Sequence, residues 1–67
     1  MTTTSVTVQG MTCGHCVASV TEELSEIAGV RAVDVVLETG AVTITSDAPL
    51  DPADVESAVT EAGYALA

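Results

Sequence analysis

Lysine, tryptophan and phenylalanine are missing from this 67-residue sequence, and Arg31 and Tyr64 are its only arginine and its only aromatic residue. Without large rings, the core has to be built from Val, Ile, Leu and Ala, and the abundance of Val favours strands. Ten acidic residues against one cation give a formal charge of −9. That balance excludes nucleic acid and anionic membranes as partners, because phosphate binding needs cations that displace counterions. The carboxylates suit either solubility or a protein partner with a basic surface. No apolar run approaches the roughly 18 residues of a membrane span. The start Met-Thr-Thr-Thr-Ser-Val has neither the basic nor the apolar stretch of a signal peptide, so a cytoplasmic chain is expected.

Cysteine is also scarce, with Cys13 and Cys16 alone. In a reducing compartment such a pair serves as ligands or redox groups rather than as a structural disulfide. A bridge across so short a loop would also constrain the unfolded chain little. The length allows one domain, residues 1–67, with a thin core, since a chain of this size buries only about 60% of its unfolded surface.

The periodicity of the remaining residues predicts six elements. Ser5 to Gln9 alternates apolar and polar, with Val6 and Val8 on one face of a strand. From Cys13 onward, Val17, Val20, Leu24 and Ile27 recur at helical spacing, and Gly29 stands as the cap. Val33, Val35 and Leu37 form one face of a second strand. Thr39-Gly40 breaks it, and Val42 and Ile44 resume the alternation, which predicts a hairpin. Asp51-Pro52-Ala53-Asp54 then supplies an N-cap, a Pro at the first helical position and an acid in the first turn. Val55, Val59 and Ala62 are the buried stripe of that helix, Gly63 ends it, and Tyr64 to Ala67 leave room for a short edge strand. Strand, helix, strand, strand, helix, strand is the order of an α+β, ferredoxin-like βαββαβ fold. A four-stranded antiparallel sheet is expected, with two helices on one face.

Chemistry concentrates in Gly10-Met11-Thr12-Cys13-Gly14-His15-Cys16. A Cys-x-x-Cys spacing at a helix start lets both sulfurs point at one spot. Cys16 falls in the first turn, where unpaired N–H groups and the helix dipole favour a thiolate. Structural zinc prefers four ligands in a closed tetrahedron, and this segment offers two thiolates and at most one imidazole. Cu(I) is soft and is satisfied by two sulfurs. An ion so incompletely enclosed is open to attack by an incoming thiolate, so it can be handed on by stepwise ligand exchange.

The same residues resemble the Gly-Met-x-Cys-x-x-Cys signature of heavy-metal-associated domains, in the style of bacterial CopZ-type copper chaperones. The similarity extends through Gly29-Val30 to Val35, Glu38-Thr39-Gly40 and Ala62-Gly63-Tyr64. The resemblance implies Cys13 and Cys16 as metal ligands, Met11 as a loop anchor tucked into the core, and Tyr64 as a ring beside the metal loop. It also implies a binding module rather than an enzyme, which delivers Cu(I) to the metal-binding domain of a copper-transporting P-type ATPase. A copper-responsive repressor is a further candidate partner. Thr12 fits copper, since zinc-selective relatives tend to place Asp before the first Cys. The chain is expected to be monomeric without metal, with a metal-bridged homodimer as the loaded alternative. The lysine-rich docking face of eukaryotic chaperones has no counterpart here.

Competing readings stand beside these. His15 is an exposed loop residue, a group that tunes cysteine acidity, or a third ligand. Met11 as a thioether ligand is set against Met11 as a core anchor. Glu22, Glu23 and Glu26 form a solvated face or a docking surface. For the whole chain, the alternatives are a zinc- or mercury-handling module, a detached ATPase domain, and a dithiol oxidoreductase.

Overall fold

The computed structural model describes residues 1–12 and 14–67, so the helix start and the ligand role expected at Cys13 lie outside the described residues. The elements are β1 (Thr2–Gln9), α1 (Gly14–Ser25), β2 (Val30–Val36), β3 (Ala41–Ser46), α2 (Pro52–Glu61) and β4 (Ala65–Leu66). The strands form one sheet in the order β2-β3-β1-β4, with every neighbouring pair antiparallel. This is the ferredoxin-like arrangement that the periodicity predicts.

One core joins the layers. Val8 from β1 and Val42 and Ile44 from β3 pack with Val20 and Leu24 of α1 and Val55, Ala58 and Val59 of α2. Each fully buried aliphatic side chain contributes roughly 1.5–3 kcal/mol, so this small set carries most of the stability. Asp51 caps α2 as expected, its Oδ1 accepting the Ala53 N–H at 2.9 Å, with Pro52 opening the helix.

Five expectations need correction, one of them in α2, whose buried residues are Val55, Ala58 and Val59 while Ala62 is its half-buried C-cap. β1 begins at Thr2 rather than Ser5, because Thr2, Thr3 and Thr4 pair with Ser46, Thr45 and Ile44 of β3. Tertiary pairing extends the strand through residues that carry no apolar alternation. The buried stripe of α1 is Cys16, Val20 and Leu24, whereas Val17 is only half-buried. The helix ends at Ser25, and the chain tightens through hydrogen bonds from Glu26 N to Glu23 O and from Ile27 N to Leu24 O. Ile27 therefore packs on the core from a turn, and Gly29 follows that turn instead of capping the helix directly. Leu37 lies beyond β2, 38% exposed in the hairpin, and does not share the face of Val33 and Val35.

Antiparallel register places three connections at one end of the molecule, their described residues being 10–12, 37–40 and 62–64. Val8 is opposite Gly40, whose carbonyl accepts the Val8 N–H at 2.9 Å, and Gln9 is opposite Ala65. β1 thus runs on toward α1 at the same end as the β2–β3 hairpin and the turn into β4.

Candidate metal site

The site is built where β1 hands over to α1. After Gln9 the chain leaves the sheet, and Met11 turns inward, half-buried against the core. That contact fixes the loop from below. Thr12 and His15 are exposed, whereas Cys16 is buried, with 9% of its surface accessible. Cys16 sits one helical turn before Val20 and two before Leu24, so it heads the stripe that enters the core. As the third residue of α1, it also lies among the backbone N–H groups that have no acceptor within the helix. Those groups and the helix dipole favour negative charge at this end.

Three further side chains bear on this point. Thr12 Oγ1 lies 3.9 Å from Cys16 Sγ, within hydrogen-bonding range for sulfur. The Tyr64 ring covers the base of the loop, since a Cβ built on Gly10 would stand 3.3 Å from Tyr64 Cδ1. Its backbone is fixed from α2, with Tyr64 N donating to Val59 O at 3.1 Å. His15 is the second residue of α1, its side chain exposed, and its carbonyl accepts the Ser19 hydroxyl at 3.2 Å. Met11, Tyr64, His15 and Cys16 are thus brought to one end. The approach of Thr12 to Cys16 was not foreseen from sequence as a contact, and its only signal is a hydroxyl four residues before a cysteine across a helix start.

Charge is distributed unevenly around the site. Among the three connections at its end of the molecule, Glu38 is the only acidic residue. Asp34 lies on β2 and the other carboxylates on the helix layer or the β3–α2 connection, and Glu23, Glu26, Asp54 and Glu61 line a groove between the helices. There Glu23 is held above the usual glutamate range by a hydrogen bond with Glu26, then by partial burial, then by the negative charges of Glu26, Glu61 and Glu22. Among the described residues, no three His, Cys, Asp or Glu side chains gather closely enough to hold a metal ion. The acidic groove is therefore no cage. Among the same residues, no helix is long and apolar enough to cross a membrane.

Comparison with known proteins agrees with this geometry. Residues 5–65 match the family model of the heavy-metal-associated domain. The copper chaperone CopZ of Bacillus subtilis (strain 168) is 41% identical over 61 residues, covering 90% of this chain and 88% of the relative. The solved structure of a CopZ metallochaperone superposes with a TM-score of 0.91 at 33% identity, over 98% of this chain and all of the other. A copper-binding domain from HMA7, a P-type ATPase, superposes at 0.89 with 28% identity, over 100% of this chain and 92% of that one.

Proposed function

The chain belongs to the heavy-metal-associated domain family, and from that premise we propose that it is a cytoplasmic copper chaperone, a carrier rather than an enzyme. Its cargo is a single Cu(I) ion bound by the thiolates of Cys13 and Cys16. The supporting observation is Cys16 itself, held in the first turn of α1 and three residues after Cys13 in the sequence. Two soft sulfurs suit a thiophilic monovalent ion and leave zinc short of ligands.

The acceptor is the metal-binding domain of a copper-transporting P-type ATPase, a module of the same fold. Transfer proceeds as an acceptor thiolate attacks the bound ion, gives a three-coordinate intermediate and displaces one chaperone sulfur at a time. Each metal–sulfur bond is replaced as it is lost, so the ion is never released to water. Met11 holds the loop from the core side, and Tyr64 shields its base. His15 acts from solvent, as an electrostatic neighbour of the sulfurs or as a third ligand. The near-absence of carboxylates around the loop suits an ion that prefers sulfur to oxygen.

Anaerobic titration with Cu(I) against a chromophoric chelator, run beside Zn(II) and Hg(II), tests the choice of metal. Cu(I) is expected to win over Zn(II), with one ion per chain, and preference for Zn(II) would reverse the assignment. Cys16→Ser is expected to abolish tight binding. Wild-type affinity in that variant would end the two-sulfur site.

A further inference from the structure

The sheet has two edges, and they are not alike. Along β2 the free edge carries a register shift between Val30 and Ala32, which leaves Arg31 as the extra residue, and it carries charge at Arg31 and Asp34. A bulge and charged side chains are the devices by which edge strands resist pairing with other chains. On the other side, β4 covers β1 only at Val8 and Gln9, with one further bond from Ala67 N to Thr7 O at 2.8 Å. The rest of that edge, Thr2 to Val6, has no charge, no proline and no bulge.

Register fixes which backbone groups face outward there. Val8 N points to Gly40, the residue before β3, whereas Thr7 O points to Ala67. Orientation alternates along a strand, so the N–H and C=O groups of Thr3 and Ser5 face the uncovered edge. A shallow cleft of ≈ 560 Å³ lies beside this edge on the outer face of the sheet, lined by Ser5, Thr7, Thr43, Leu66 and Ala67 among others. The cleft marks the step where β4 stops and β1 continues.

We infer that this edge pairs with the same edge of a second copy of the chain, joining two sheets through antiparallel β1 strands about a two-fold axis at Thr4. The segment is self-complementary in that register. Thr3 faces the partner's Ser5, and Ser5 faces the partner's Thr3, so four outward backbone bonds form and no outward group of the two residues is left over. The partner's Thr2 falls opposite Val6, the position next to that filled by Ala67. The seam carries no charge, although each chain carries −9. Five residues a side is far below the roughly 20–30 of a stable interface, so the dimer is weak. It forms without metal, in contrast to the metal-free monomer that the family resemblance implies, and uses neither cysteine.

Sedimentation of the full chain with chelator and thiol reductant, from about 10 μM to about 1 mM, reads the association directly. A concentration-dependent dimer is expected, equally in the wild type and in a Cys13→Ser, Cys16→Ser double variant. Raising salt from about 0.01 M to about 0.15 M shortens the screening length from roughly 30 Å to 8 Å, so the dimer strengthens. Thr3→Lys with Ser5→Lys sets like charges directly across the seam and is expected to weaken association about tenfold or more. The same change lowers the formal charge from −9 to −7, which would favour any non-specific association. Ser5→Pro removes an outward N–H, and its dissociation constant should rise likewise. Circular dichroism checks both folds, and the lysine variant decides if the proline variant is unfolded. A monomer at the highest concentration, a dimer lost in the serine variant, or a dimer kept in the lysine variant would overturn the inference.

Discussion

Gly40 packs so closely on Val8 that a Cβ at position 40 would stand inside the contact distance of the Val8 carbonyl oxygen. The Gly40 backbone has φ +76°, a conformation that costs a residue with a side chain about 1–3 kcal/mol. Both costs fall on Gly40→Ala, whereas Gly63, at φ +93° with open space beside it, exposes alanine to the first alone. Gly40→Ala is expected to lose about 2–4 kcal/mol and Gly63→Ala about 1–2 kcal/mol. Urea unfolding of the two variants measures the difference, and equal losses would show that the Val8 carbonyl yields freely.

How far the sequence carried this fold is clearest where local chemistry and tertiary packing agree. Asp51-Pro52 specifies a helix start by hydrogen bonding within four residues, and the structure keeps it. Val42 and Ile44 alternate because one face of β3 is buried, and both are in the core. Where the outcome depends on distant partners, periodicity misleads. Thr2 to Thr4 become strand through β3, Leu37 is spent on the hairpin, and Cys16 displaces Val17 from the buried stripe. The candidate site was legible as a motif, since its two cysteines stand within four residues of each other in sequence. The approach of Thr12 to Cys16 was not, because it depends on how the loop closes over the helix end.

Asp51 offers a test of the most local of these interactions. Its carboxylate accepts the Ala53 N–H at 2.9 Å and faces the positive end of the α2 dipole. Asp51→Ala is expected to cost about 1 kcal/mol, and Asp51→Asn less, because the amide oxygen still caps. The cap lies at the start of α2, at the opposite end from Cys16, so Cu(I) affinity should not change. A shift in affinity comparable with the stability loss would tie the cap to the metal loop.

Glu23 makes stability depend on pH in the opposite sense to an ion-paired acid. Its folded value is raised above the ordinary 4.5, first through the hydrogen bond with Glu26 and then through burial and the nearby carboxylates. The folded chain therefore holds this proton more tightly than the unfolded chain does. Above the raised value the repulsion is fully present, and it is relieved as pH falls toward 4.5. Glu23→Gln should be more stable than the wild type at pH 7, with the gap narrowing on acidification and on addition of salt. Thermal unfolding at several pH values measures the gap, and a gap that widened on acidification would contradict the carboxylate repulsion.

Met11 separates the two roles that a thioether beside a metal loop can play. Its side chain is half-buried and packs on the core, and leucine fills nearly the same volume without a sulfur atom. If Met11 acts as an anchor, Met11→Leu should keep Cu(I) affinity within about threefold and change stability by less than about 1.5 kcal/mol. Met11→Ser removes the contact and introduces a polar group, so it should cost about 2–4 kcal/mol and loosen the loop. X-ray absorption of the Cu(I)-loaded wild type and Met11→Leu proteins should then give the same two-sulfur shell. A sulfur lost from that shell in Met11→Leu, together with weaker binding, would make Met11 a ligand and remove the two-thiolate basis for preferring Cu(I).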